Sequence, residues 1–144
     1  MKYLKKFNDL LVENEYNNYR YVDDINNHIR DNNIEFFENN YIENHDNQYI
    51  IIAAMYGYTD IVKILVENFD VNQTNHLSRT AAYYTNNKPE ILKLLLDNGL
   101  NIENEDDYGE MFFEFVDNDT LKIVKDNKFI KNYLKKQTRN KFNL

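Results

Sequence analysis

The chain has 144 residues and a formal net charge of −7, and 42 of its residues are Leu, Ile, Val or Phe. That apolar share lets one domain collapse around a core and argues against a disordered chain, despite 25 asparagines and a mean hydropathy of −0.75. There is no cysteine, which excludes a disulfide scaffold, a thiolate nucleophile and a Cys-ligated zinc. The opening Met1-Lys2-Tyr3-Leu4-Lys5-Lys6 runs straight into polar residues. No run of about 18 apolar residues follows. The expectation is a cytoplasmic protein without signal peptide or membrane span.

Asn, Ile, Lys, Tyr and Phe fill half the chain, whereas Ala, Gly, Pro and Arg together supply 12 residues. An AT-rich coding source explains both. Asparagine pairs such as Asn17-Asn18 and Asn32-Asn33 then read as surface filler, and each Ala, Gly or Pro becomes informative. Charge is divided along the chain. Residues 1–120 carry nine Lys/Arg against 23 Asp/Glu, a balance of −14, while residues 121–144 carry eight against Asp126 alone, a balance of +7.

The main signal is a repeat. Ile61-Val62-Lys63, Ile91-Leu92-Lys93 and Ile123-Val124-Lys125 stand 30 and 32 residues apart. The first two continue alike, as Ile64-Leu65-Val66-Glu67-Asn68 and Leu94-Leu95-Leu96-Asp97-Asn98. Their apolar residues at i, i+1, i+3, i+4 and i+5 form the wide stripe of a heavily buried helix. The four alanines fall in two pairs, Ala53-Ala54 and Ala81-Ala82, each eight to ten residues before such a helix. Small side chains there allow a preceding helix to pack closely against its partner. Asn98-Gly99 is a left-handed helix stop, and Asn68 is expected to supply the same turn. Pro89-Glu90 suits a first helical turn. Each unit thus reads as helix, turn, longer helix, stop and short extended segment.

The segment from Ala53 to Asn68 (Ala-Ala-Met-Tyr-Gly-Tyr-Thr-Asp-Ile-Val-Lys-Ile-Leu-Val-Glu-Asn) resembles the ankyrin repeat pattern A-A-x-x-G-H-x-x-I-V-x-x-L-L-x-x-G. Gly57 matches the inter-helix glycine, Asp70-Val71-Asn72 the hairpin D-V-N, and Gly109 the hairpin glycine of a fainter third unit. The family's T-P-L-H turn stands as Gln48-Tyr49-Ile50-Ile51 in one unit. In the next it is Ser78-Arg79-Thr80-Ala81 or Thr80-Ala81-Ala82-Tyr83, and its histidine is absent. The resemblance implies an all-α, ankyrin-like solenoid of stacked helix-turn-helix repeats joined by short hairpin loops. One domain, 1–144, would hold a degenerate N-terminal cap at 20–42 (Ile25, Ile29, Ile34, Phe36, Phe37). Repeats would follow at 43–72, 73–102 and 103–130, and then a basic C-terminal helix or tail at 131–144. In style, the bias and degenerate repeats resemble the Asn-rich ankyrin proteins of giant DNA viruses of amoebae.

Catalytic and cofactor motifs are lacking. His28, His45 and His76 have no partner at i+4, Ser78 is the lone serine, and three scattered glycines cannot cradle a phosphate. The expectation is no enzyme, no cofactor and no metal. The resemblance implies protein recognition, by a monomer, of a partner that would be a host protein if the chain is viral. It places partner-binding candidates at the hairpin tips (Asn44, His45, Asn47, Thr74, Asn75, Leu77, Glu105, Asp107). On the inner-helix surface it places Met55, Tyr56, Thr85, Asn86, Asp117 and Asn118. Tyr56 is the expected anchor, because aromatics dominate interface energetics. The alternative is nucleic-acid or anionic-membrane association through the basic segment 121–144. There Phe129, Ile130, Tyr133 and Leu134 form a helical stripe that would cap the last repeat.

Overall fold

The computed structural model describes residues 25–40 and 48–142. Its helices are α1 (25–30), α2 (Ile34–Asn39), α3 (Tyr49–Tyr56), α4 (Thr59–Leu65), α5 (Pro89–Asp97), α6 (Asn118–Leu121) and α7 (Lys128–Phe142), with 3-10 turns at Ala81–Tyr84 and Phe112–Glu114. The described residues contain no named strand. An isolated antiparallel bridge joins Glu105 to Met111. No described helix is long and apolar enough to cross a membrane.

The elements form two rows. In the inner row, α3 packs on the Ala81–Tyr84 turn, which packs on the Phe112–Glu114 turn. In the outer row α2, α4, α5 and α6 pack successively, and α3 and α4 close one unit as a helix pair. The core lies between the rows. Ile61, Val62 and Leu65 of α4 and Ile91, Leu92 and Leu95 of α5 are buried, as the shared stripe requires. Ile25, Ile29 and Phe37 extend that core toward the N-terminus.

Several expectations need correction. The alanine pairs are all buried but not equivalent. Ala53-Ala54 lies in the second half of α3, whereas Ala81-Ala82 opens its turn directly after Thr80. With Thr80 at the N-cap, Thr80-Ala81-Ala82-Tyr83 is the register of that turn. Asn68 does not form a left-handed stop. Gly99 does, at φ 89°, but α4 leaves through right-handed turns in which Phe69 N–H donates to the Leu65 carbonyl. The third unit is also shifted. Asp117 caps α6, so Thr120 within it and Val124 just after it are buried and Ile123 is 38% exposed. The Ile123-Val124-Lys125 echo is therefore three residues out of step with Ile91-Leu92-Lys93. A four-residue helix with a side-chain cap begins the outer element earlier than the apolar triplet suggested.

Candidate recognition surface

Two successive hairpins are built the same way. The Asn75 side-chain oxygen accepts the N–H groups of Leu77 (3.0 Å) and Arg79 (3.1 Å). One unit on, Asp106 accepts those of Tyr108 and Glu110, both at 2.9 Å. Each turn then passes through positive φ, at Ser78 (60°) and Gly109 (74°). Glycine takes that conformation freely and serine at a cost. The shared side-chain staple holds both turns in it.

The hairpins are tied to one another. Asp107 N–H donates to the Leu77 carbonyl, Ser78 Oγ to Asp107 (2.6 Å), and Asn104 Nδ2 to the Ser78 carbonyl (3.0 Å). Arg79 Nε donates to Asp106 at 2.8 Å, and its guanidinium lies 4.5 Å from the centre of the Phe115 ring. The Asp106 side chain is fully buried. Burial pushes its carboxyl up, but the amides of Glu110 and Tyr108 and the Arg79 guanidinium outweigh that and hold it below the ordinary range. Tyr83 stands where the T-P-L-H turn has its histidine. Its hydroxyl lies 2.8 Å from the carbonyl oxygens of both Asn104 and Glu110. Burial raises its pKa, which keeps the hydroxyl a donor.

Two further ties cross the opposite side. Lys88 Nζ donates to the carbonyls of Met55 (3.2 Å) and Tyr84 (3.0 Å), the last turns of two successive inner elements. Asp117 accepts from the Thr120 hydroxyl and amide and from Asn87 N–H, which pulls its pKa down to about 2. Asn86 Oδ1 in turn accepts from Asp117 N–H.

The candidate residues therefore divide. Asn44, His45 and Asn47 lie outside the described residues. Met55 and Tyr56 are about half exposed at the end of α3, where the Tyr56 ring stacks on Tyr58 with centroids 5.4 Å apart. Glu105, Asp107, Thr74, Asn86 and Asn118 are exposed, and Leu77 is half-buried. Asn75 and Asp117 are spent on internal hydrogen bonds. Thr85 is fully buried, a correction: the shortened inner element tucks it inward, and its hydroxyl donates to the Ala82 carbonyl. Sequence reading missed Tyr108, at 70% the most exposed large apolar side chain among the described residues, whose counterpart is Leu77. Aligning Asn75-x-x-Ser78 with Asp106-x-x-Gly109 would have placed it at the tip beside Asp107.

Rows of paired short helices, bridged unit to unit through stapled hairpins, define an α-helical repeat protein of the solenoid class. The family model for ankyrin repeats (3 copies) matches residues 22–106, and the chain belongs to the ankyrin-repeat family. The structure carries the pattern past that match, through the Gly109 hairpin, the Phe112–Glu114 turn and α6. No curated protein matches the chain significantly. Ankyrin repeats are protein-interaction modules and typically non-enzymatic scaffolds.

Proposed function

We propose that this chain is a monomeric, non-enzymatic recognition module that binds a protein partner on its hairpin tips and the adjoining inner surface. The supporting observation is the cross-tied pair of hairpins. It holds Asp107, Tyr108 and Glu105 outward on a frame fixed by the Arg79–Asp106 pair and the Tyr83 hydroxyl. A surface rigid before binding loses little entropy on association. Tyr108 and Tyr56 are the aromatic anchors, and the acidic residues around Tyr108 favour a basic partner, with association slowed by salt. Asn44, His45, Asn47, Thr74, Leu77, Asn86 and Asn118 belong to the same proposed surface. The AT-rich coding bias fits a viral or protist source; for a viral source the partner is a host protein in the host cytoplasm.

Site-specific photo-cross-linking tests this reading. A photoreactive residue at position 108 or 56 should capture a discrete partner from lysate of the host cell. The same residue at Lys63 or Lys93, exposed on the outer helices, should not. Capture from the outer positions alone would reject the proposed surface.

A further inference from the structure

Helix α7 divides in two. Its first turns dock on the stack: Ile130 is buried, the Tyr133 ring packs edge-on to Phe113 with centroids 4.9 Å apart, and the Tyr133 hydroxyl donates to Glu114. From Leu134 to Arg139 every described side chain is exposed. At 3.6 residues per turn, Lys128, Lys131, Lys135 and Arg139 fall within a sector of about 80° on the side away from Ile130 and Tyr133. They span about 16 Å of helix axis. Lys136 lies about 60° beyond the edge of that sector.

This stripe lacks the compensation that exposed helices usually carry. Lys131–Lys135 and Lys135–Arg139 are like-charge pairs at i,i+4, which destabilise a helix. Among the described residues no carboxylate pairs with Lys128, Lys135, Lys136 or Arg139, and Lys131 meets Asp126 only at 3.5 Å with both side chains exposed. A polyanion aligned with the stripe would remove that repulsion.

We propose that this face of α7 binds the phosphate backbone of a nucleic-acid duplex without reading its sequence. A lipid surface fits less well, because the apolar face of α7 is spent on the stack through Ile130 and Tyr133, which leaves Leu134 as the one half-exposed large apolar side chain among the described residues of α7. A single strand fits less well too, since between Lys128 and Arg139 the aromatic side chains, Phe129 and Tyr133, lie off the basic sector and cannot stack with bases there. The acidic balance of residues 1–120 repels polyanions elsewhere and confines contact to this helix.

The test is fluorescence anisotropy of a labelled mixed-sequence 20-base-pair duplex, titrated with the full chain from 50 to 200 mM salt. Four phosphate contacts give a log–log salt slope of about −3.6, hence roughly 100-fold weaker binding across that range. The K131Q/K135Q/R139Q variant should keep its fold, since these side chains are exposed. Its slope should fall to about −1. Anionic phospholipid vesicles and polyglutamate serve as competing probes. No duplex binding at 50 mM salt, an unchanged slope in the variant, or retention on vesicles or polyglutamate equal to that on the duplex would each overturn the proposal.

Discussion

Tyr83 takes over the linking role of the T-P-L-H histidine with a different donor. Its hydroxyl reaches two carbonyl oxygens of the next hairpin from a ring that is itself buried. Tyr83→Phe keeps the ring against Phe115 and removes the one hydroxyl hydrogen that the Asn104 and Glu110 carbonyls share, in a place water reaches poorly; the Glu110 carbonyl keeps the Asp106 amide. The expected cost is about 1–3 kcal/mol, read from urea unfolding. A loss indistinguishable from zero would mean the hairpins are held by their other ties, through Arg79, Ser78, Asn104 and the Asp107 amide. The carboxylates make a second prediction at this scale. Asp117, held at about 2, and Asp106, held below its ordinary range, favour the folded state while ionised. Both folded pKa values lie below those of the unfolded chain. Their stabilisation is therefore complete above the unfolded carboxylate range and is lost as pH falls through the folded values. Unfolding midpoints measured from pH 5 to 2 should fall steeply, and Asp117→Asn should flatten that fall. An identical slope in the variant would remove Asp117 from the account.

At the scale of elements, the turn between the helices of a unit is set by Gly57 and Lys88. Gly57 sits at φ 77°, and a Cβ there would meet Lys88 Cε at 3.3 Å. Gly99 sits at φ 89° with nothing within 4 Å of such a Cβ. Both Gly→Ala changes carry the left-handed penalty of about 1–2 kcal/mol. Only Gly57→Ala also disturbs the ammonium that holds the Met55 and Tyr84 carbonyls. Thermal unfolding should rank Gly57→Ala as the more costly, and the difference should vanish in a Lys88→Ala background. Persistence of the difference would separate Gly57 from Lys88. These two residues also show what the sequence could and could not reveal. Gly57, Gly99, Pro89 and the stripes of α4 and α5 were legible because helix stops, helix starts and buried faces follow from local chemistry. Lys88 was not, since a lysine folded under a glycine 31 positions earlier leaves no local trace. The inner elements were misread for a related reason. Shortening one to a 3-10 turn moves Ala81-Ala82 to its start and buries Thr85, while the hydrophobic period stays intact. The Ile123-Val124-Lys125 echo misled because its composition matched and its register was fixed instead by the Asp117 cap.

Across the whole molecule, each unit contacts its neighbours in the two rows, so stability is close to a sum of unit and interface contributions. The last unit is then the weakest link, with a four-residue outer helix and a three-residue inner turn. What covers it is the docked half of α7, and the two halves of that helix should separate cleanly under mutation. Ile130 is buried, and Ile130→Ala opens a cavity over the end of the stack, costing about 2–5 kcal/mol. Leu134 is 46% exposed, and Leu134→Ala should stay within about 0.5 kcal/mol. In a one-dimensional stack the Ile130 loss should remain local. Hydrogen exchange should speed up for amides between 112 and 124 and stay unchanged in α3 and α4, because fraying from one end leaves earlier interfaces intact. Equal acceleration in α4 would mean that the chain unfolds as one unit and that α7 stabilises every repeat. The recognition surface would then depend on the basic helix. A local response would leave the hairpin that carries Tyr108 and Asp107 tied to Leu77 and Ser78, and the recognition surface independent of the basic stripe of α7.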